Sequence, residues 1–290
     1  MVERFTFRGF DPRPLRIPLS ILGLVFILAS FLVTHGWDLH AYWAVDPGNP
    51  YEGVDALNAY GDFRYAPPAA LLAAPLSLIP FEIVALGWLA AQLAALWYIA
   101  RGWALALVVF PPVWLDIVYG NINIFLAAMV VAGLRHPAAW VFGLLTKVTP
   151  GIGLVWFIAR REWKSVATAL AVLAAVVGAS LVLQGPQVWR SWFAVLDASR
   201  QMAIPFDALP VPLLPRVIAA AVLISWGAIG SRPWVVPIGV VLAMPVLWVI
   251  SFAPLIALWP RDRLRMAEAS AAADASPIPG RPEAREARAQ

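Results

Sequence analysis

Long apolar runs, separated by short polar breaks, fill most of the chain between residues 17 and 260. About 20 apolar residues form a helix that crosses a bilayer core, and fewer suffice where a helix is broken or enclosed by protein. Prolines and charged residues mark the ends of the runs. The pattern predicts apolar segments at 17–35, 82–100, 103–119, 122–134, 137–149, 150–160, 165–184, 211–229 and 234–260.

Two proline-rich stretches differ from a simple crossing. Pro245 and Pro254 interrupt 234–260, which favours two half-length segments there and about 9 to 10 transmembrane segments in total. The stretch 67–80 has prolines at both ends and one inside, so we interpret it as a helix lying in the outer membrane interface. The predicted fold class is all-α: a polytopic integral membrane helical protein whose first outer loop carries interfacial helices.

Composition supports the same class. Hydrophobic residues make up 61% of the 290 and charged residues 13%, and the mean hydropathy of +0.76 exceeds what a soluble domain can bury. The chain has no cysteine, which excludes disulfides and thiolate metal sites. No small-residue cleavage site follows Val33, so the first apolar segment is interpreted as an uncleaved signal anchor. We divide the chain into a transmembrane domain, 1–267, and a disordered cytoplasmic tail, 268–290.

The placement of charge predicts the orientation. A cytoplasmic N-terminus puts sixteen basic residues on the inner side and five on the outer side, as inner-membrane proteins prefer. The first outer loop, 36–66, carries five acidic residues and one arginine. The net charge of +4 therefore reflects membrane topology and not a nucleic-acid partner. We expect a multi-pass protein of the plasma membrane with its N-terminus in the cytoplasm.

A few polar side chains interrupt the apolar segments and are candidates for a functional site. A charge near the middle of a bilayer costs about 2.5 to 3.5 kcal/mol on insertion scales, so an ionisable residue there suggests a function. Lys147 lies in one apolar segment, and Asp116 precedes Asn121 and Asn123 at a helix junction marked by glycine. The topology puts all four near the outer face, where they could share one cavity with Asp38.

Structural roles compete with a functional one at these positions. Lys147 could reach the lipid headgroups or pair with Asp116, and a structural pair is the favoured role for Asp116. Asn121 and Asn123 could cap a helix. The tryptophans mainly indicate an aromatic belt at the two interfaces. These alternatives stay open at the level of the sequence.

Several motifs are absent from the sequence. It has no D-x-D pair for holding a nucleotide diphosphate through a metal, and no P-loop or dinucleotide-binding glycine pattern. His35, His40 and His136 are too few on one side of the membrane to complete a zinc site. We therefore expect no cofactor, no metal and no nucleotide-dependent cytoplasmic active site.

Five stretches in order resemble glycosyltransferase family 87, whose members are C-type (GT-C) membrane enzymes dependent on polyprenol-phosphate sugars and include mannosyltransferases. The family pattern has Asp then Tyr in the first outer loop, a Y-P-P stretch, a G-Q-x-N turn and a K-x-x-P before a basic loop. Asn121 replaces the glutamine, Ala66 replaces the first proline of Y-P-P, and "MPVLWVIS" lacks serines and a histidine found near the family's C-terminus. The matching stretches are "DLHAYW", "NPYEG", "FRYAPPAALLAAPLSLIP", "GNIN" and "LLTKVTPGIGLVWFIARREWKS".

The resemblance implies an inverting, metal-independent transfer of a sugar, expected to be mannose, from a polyprenyl-phosphate donor to a glycolipid or glycan acceptor. It makes Asp38 the general base. A sugar hydroxyl needs such a carboxylate within hydrogen-bond reach to take its proton. Arg64 and Lys147 are the expected cations for the lipid phosphate, with Arg190, Arg200 and Arg216 as further possibilities. The other expected substrate-binding residues are His40, Tyr42, Tyr65, Asn121, Asn123 and Trp248.

Two other functions are compatible with the same sequence. A lipid-linked-sugar carrier, or flippase, would share the lipid site but would need charged residues at both leaflets, and no intramembrane charge is predicted at the inner one. An inactive homologue acting as a scaffold is favoured by the short C-terminal part of the chain. Transfer or translocation of a labelled polyprenyl-phosphate sugar by the purified protein separates these hypotheses.

Overall fold

The computed structural model describes residues 13–33, 36–54, 62–199 and 211–259. Within these ranges the chain is helical and contains no β-strand. Its α-helices, numbered α1 to α13, are Arg16–Val33, Trp37–Trp43, Pro67–Ala73, Phe81–Ala100, Ala104–Leu107, Pro111–Tyr119, Asn123–Gly133, Trp140–Thr146, Val155–Ala159, Trp163–Gln184, Pro186–Ser199, Leu213–Ile229 and Val235–Leu242. Short 3₁₀ segments are Arg13–Leu15, Ala74–Leu78, Arg101–Trp103, Pro137–Ala139, Thr149–Leu154 and Val249–Leu258.

The chain divides into two compact units, Met1–Leu258 and Trp259–Gln290. All the helices given above belong to the first unit. In the second unit the structure describes Trp259 alone, so the predicted tail at 268–290 lies outside the described residues. His35, Asp55 and Arg200 also lie outside them.

Two predicted segments differ from the helices that form. The segment 103–119 divides into α5 and α6, because Pro111 and Pro112 lack the N–H groups that would continue one helix through them. The stretch 185–210, which the predicted crossings leave on the outer side between two apolar segments, contains the helix α11. This helix buries Val188 and Trp192 on one side, and that burial stabilises it beyond what its mixed sequence suggests.

The apolar helices have the composition of membrane helices. Phe81–Leu107 and Trp163–Gln184 are long and apolar enough to cross a membrane, and α6 with α7 adds a third if that pair, bent by 116°, is one broken span. Shorter apolar helices are Arg16–Ser30, Pro67–Leu78, Pro137–Thr146, Thr149–Ala159, Leu213–Ile229 and Val249–Leu258. The protein is therefore a helical membrane protein, whereas the predicted number of 9 to 10 crossings is not established by these helices.

Close packing brings separate parts of the chain to the bend between α6 and α7. Gly120 ends α6 in the left-handed conformation, with φ of 66°. A Cβ atom at this position would lie 2.6 Å from Cβ of Leu39, so α2 can approach the bend only because residue 120 is glycine. The C-terminal end of α8 is linked to the segment before α3, where the Ala66 N–H donates to the Leu145 carbonyl over 2.9 Å.

Candidate active site

The bend between α6 and α7 is built around a buried carboxylate. Asp116 Oδ1 accepts hydrogen bonds from the backbone N–H and the side-chain amide of Asn123, at 3.2 and 2.8 Å. Its Oδ2 accepts from the Ile124 N–H at 3.0 Å. Asp116 thereby satisfies N–H groups in the first turn of α7, which have no partner within that helix. Asp116 thus caps α7, and among the described residues it forms no ion pair with Lys147.

Gln92 holds the same bend from α4. Its side chain is 1% exposed, and its Nε2 donates to the carbonyl oxygens of Asp116 and Asn121, at 3.2 and 3.0 Å. The Asp116 carbonyl lies in the last turn of α6, where it also accepts from the Asn121 N–H at 2.9 Å, and the Asn121 carbonyl lies in the bend that follows. Our sequence analysis missed Gln92, although a lone amide in the apolar run of α4 is a signal that could have identified it.

Asp38 is hydrogen-bonded to Asn121, which lies in the bend between α6 and α7. Nδ2 of Asn121 donates to Oδ2 of Asp38 over 2.6 Å, and Oδ1 of Asn121 accepts from the Ile122 N–H at 2.7 Å. The asparagine is therefore oriented by the backbone and presents its N–H₂ group to the carboxylate. Within the described part of the chain, Oδ1 of Asp38 accepts no hydrogen bond, so one oxygen is held while the other can accept from a substrate.

Lys147 reaches the same network from the end of α8. Its Nζ donates to Oδ1 of Asn123 over 2.9 Å, and Nδ2 of Asn123 donates to Oδ1 of Asn121 over 3.0 Å. Asp38, Asn121, Asn123 and Lys147 thus form one chain of hydrogen bonds between a carboxylate and an ammonium. An ammonium has three hydrogens, and Asn123 takes one of them. Lys147 therefore retains hydrogen-bond donors for an anionic ligand.

The surroundings of Asp38 change its acidity. Burial raises the pKa of the Asp38 carboxyl, while the hydrogen bond from Asn121 and the positive charge of Lys147 lower it. Burial is the largest effect, so the pKa lies above its ordinary value. A carboxylate with a raised pKa is a better proton acceptor than a solvent-exposed one, as a general base requires.

Two tyrosines lie beside the carboxylate. The hydroxyl groups of Tyr42 and Tyr65 are 2.7 Å apart. Tyr42 follows Asp38 by one helical turn, so the side chains of Asp38 and Tyr42 face the same side of α2. The Tyr51 hydroxyl donates to the Tyr65 carbonyl at 2.6 Å. Burial, together with the nearby Asp38 charge, raises the pKa of Tyr42 and of Tyr65. Both hydroxyls therefore stay protonated, and the pair keeps one hydrogen for a substrate oxygen.

The remaining predicted residues lie outside this network. Arg64 forms an ion pair with Asp62 at 2.9 Å and donates to Oγ of Ser199 at 2.9 Å. His40 is exposed, and its ring centroid lies 5.3 Å from those of Trp43 and Phe81. Trp248 is half-buried and immediately precedes the last 3₁₀ segment. The substrate-binding roles expected for Arg64, His40 and Trp248 therefore remain predictions.

Arg216 and Arg190, which we suggested as further ligands of the phosphate, differ from each other in burial and in contacts. Arg216 is 5% exposed, and its guanidinium donates to the carbonyls of Val211, Leu242, Met244 and Pro245, at 2.7 to 3.2 Å. Three of these carbonyls lie at or just after the end of α13 and one lies just before α12, so Arg216 joins these two parts of the chain. Its role in phosphate binding stays a prediction. Arg190 lies exposed on α11.

Among the described residues, no group of three or more His, Asp or Glu side chains could hold a metal ion.

Comparisons with known proteins agree with the resemblance seen in the motifs. A polyprenol-phosphate-mannose-dependent alpha-(1-2)-phosphatidylinositol pentamannoside mannosyltransferase of Mycolicibacterium smegmatis is 30% identical over 223 residues, 64% of this chain and 53% of the relative. A protein of the same description from Mycobacterium tuberculosis is 28% identical over 197 residues, 56% of this chain and 46% of the relative. The chain spans about half the length of these relatives, and no solved structure matches it.

The sequence profile described as glycosyltransferase family 87 matches residues 63–275. That range contains Asn121, Asn123 and Lys147, whereas Asp38 precedes it. Because the profile covers well over half of the 290 residues, the chain belongs to glycosyltransferase family 87.

Proposed function

We propose that the protein transfers a mannosyl group from a polyprenyl-phosphate donor to a glycolipid or glycan acceptor at the outer face of the plasma membrane. Family membership and the descriptions of the two mycobacterial relatives support the donor and the sugar. The relatives' acceptor is a phosphatidylinositol mannoside, which supports a glycolipid as the acceptor here. The proposed fold is a GT-C-like arrangement of about 9 to 10 membrane segments.

Asp38 is the proposed general base. The acceptor hydroxyl donates its hydrogen to the carboxylate, and its oxygen attacks the anomeric carbon from the side opposite the phosphate. The new bond between this carbon and the acceptor oxygen forms as the bond to the phosphate oxygen breaks, so the anomeric centre inverts. The proton ends on Asp38, and the electron pair leaves with the lipid phosphate.

Lys147 is the proposed cation for the leaving phosphate. Charge on the phosphate oxygens grows as the glycosidic bond breaks, and a fixed ammonium in a water-poor site stabilises that charge. A monophosphate carries less charge than a pyrophosphate, so this chemistry does not require a metal. Arg64 is a second candidate cation: it precedes Tyr65, whose hydroxyl contacts that of Tyr42, and it would have to exchange its ion pair with Asp62 for one with the phosphate.

Contacts between loops support the proposed topology. Arg64 bonds to Ser199 and Gln184 bonds to Pro47, so segments predicted to lie outside contact one another. Arg160 donates to the Ala228 carbonyl, which joins two regions predicted to lie inside. We propose that the chain crosses the membrane several times, with its N-terminus in the cytoplasm.

Reporter fusions near Glu52 should show that this part of the chain lies outside the cytoplasm. A cytoplasmic signal there would put the base and a donor at the outer face on opposite sides of the membrane and would refute the proposal.

The hydrogen-bonded connection of Asp38 to Lys147 through Asn121 and Asn123 is the observation on which the assignment rests. It joins a base and a phosphate-binding cation from distant parts of the sequence. Purified protein should transfer labelled mannose from polyprenyl-phosphate-mannose to a phosphatidylinositol mannoside, with inversion at the anomeric carbon. Movement of the labelled donor across the membrane of vesicles that contain the protein, without transfer of mannose to the acceptor, would instead support a carrier.

A further inference from the structure

Lys147 is followed by a strained turn. Val148 has φ of 58° and ψ of −66°, and the Thr149 N–H donates to the Lys147 carbonyl over 2.7 Å. These values define a three-residue γ-turn with positive φ, which is rare and strained. A β-branched residue is the least suited to positive φ, because its Cβ substituents crowd the backbone. Glycine, which adopts this conformation without penalty, is absent from the turn.

Packing on both sides of the turn holds it in this conformation. The hairpin of α8 and the segment Thr149–Leu154 is so tight that a Cβ atom on Gly153 would lie 2.0 Å from the Trp140 ring. Trp140 is itself fully buried, and its Nε1 donates to the Gly133 carbonyl at 3.0 Å. Strained residues persist where surrounding packing determines their geometry, and they concentrate at functional sites.

The Val148 side chain gains little from this arrangement. It is 39% exposed, so burial of the side chain does not account for valine at this strained position. The turn instead has a consequence for the preceding residue. Lys147 ends α8, and the chain reverses immediately after it, so the lysine side chain leaves the hairpin at its tip and reaches Asn123.

We propose that Val148 is a positioning residue: once the packed hairpin imposes the γ-turn, the side chain leaves the backbone few alternatives, and the Lys147 ammonium is thereby kept where the lipid phosphate of the donor binds. The inference rests on the proposed role of Lys147 in donor binding. Valine at this position has few backbone alternatives once the hairpin is packed, whereas glycine would give the turn several. A lysine that samples several positions binds phosphate more weakly, because binding must then order it.

The test measures binding of a short-chain polyprenyl phosphate to the full-length protein in detergent. Val148→Gly should weaken binding about tenfold through lost preorganisation, while its melting temperature stays the same or rises as strain is released. Val148→Ala is the matched control: it keeps a Cβ atom and the backbone restriction, so its affinity should stay close to that of the wild type. A loss of affinity in the alanine variant equal to that in the glycine variant would assign the effect to side-chain contacts and overturn the proposal.

A second measurement separates this inference from the proposed function. In a Lys147→Met background, Val148→Gly should cause no further loss of affinity, because the ammonium that the turn positions is gone. Normal phosphate binding by Lys147→Met alone would refute the role of Lys147 in donor binding. Weak binding by Lys147→Met together with normal binding by Val148→Gly would refute only the positioning role of Val148.

Discussion

Replacing Asp38 with asparagine removes the proposed general base and keeps the shape of the side chain. The amide oxygen of the new side chain can accept the 2.6 Å hydrogen bond that Asn121 donates. Hydrogen bonds to charged groups contribute about 1.5–3 kcal/mol and neutral ones about 1 kcal/mol, so the substitution weakens this contact by about 1 kcal/mol. The neutral side chain also avoids the cost of burying a carboxylate, which offsets that loss.

The free energy of unfolding of Asp38→Asn should therefore stay within about 1 kcal/mol of the wild-type value. Catalysis should change far more. An amide cannot accept the acceptor's proton, so the rate of mannosyl transfer should fall by a factor of about 100 to 10,000, the usual contribution of a general base. Affinity for the polyprenyl-phosphate donor should change little, because Lys147 and the amides of Asn121 and Asn123 remain in place.

Single-turnover transfer, donor binding and the melting temperature should be measured on the same detergent preparation of each variant. The rate per folded molecule separates loss of the base from loss of folded protein. A stable Asp38→Asn variant that binds the donor and turns over at nearly the wild-type rate would remove Asp38 from the mechanism. In that case the carboxylate would serve only as a structural partner of Asn121.

Three further outcomes are expected. Asn121→Leu should move the acid limb of the kcat/KM profile to higher pH, because the lost hydrogen bond stabilised the Asp38 carboxylate and its removal raises the pKa. Gly120→Ala should destabilise the protein by about 1–3 kcal/mol and reduce transfer, whereas Gly87→Ala, with open space around its Cβ, should do neither in denaturation and activity assays. Transfer should persist in EDTA; a loss restored by Mg²⁺ or Mn²⁺ would reveal a metal site.

The apolar pattern predicted most helices because burial in lipid leaves a strong and local signal. Segments 82–100, 122–134, 165–184 and 211–229 agree with α4, α7, α10 and α12 within two residues at each end. The break between α5 and α6 was less visible, although Pro111 and Pro112 mark it. Formation of α11 depends on packing of its buried side against the segment before α3, where Trp192 donates to the Arg64 carbonyl. This contact cannot be seen in the helix's own sequence.

The polar residues of the site could be selected from the sequence because charge in an apolar segment is costly. The hydrogen-bond partners of these residues could not be predicted from the sequence. Asp116 seemed suited to pair with Lys147, but the nearer N–H groups of α7 take its oxygens. The positive φ of Val148 is also unpredictable from residue type, since valine disfavours it and only the tertiary packing of the hairpin imposes it.

The two asparagines between Asp38 and Lys147 solve a problem that a direct ion pair would create. An ammonium bonded to the Asp38 carboxylate would lower its pKa further and so make it a weaker base, and the same bond would occupy a donor that the phosphate needs. Asn121 and Asn123 instead bond to each other over 3.0 Å. Asn121 contacts the Asp38 carboxylate, and Asn123 contacts the Lys147 ammonium as well as the capping carboxylate of Asp116. The amides hold both groups in fixed positions while keeping them apart. In the proposed mechanism, Asp38 accepts a proton as the Lys147 ammonium stabilises the departing phosphate, and one preorganised network serves both ends of the transfer.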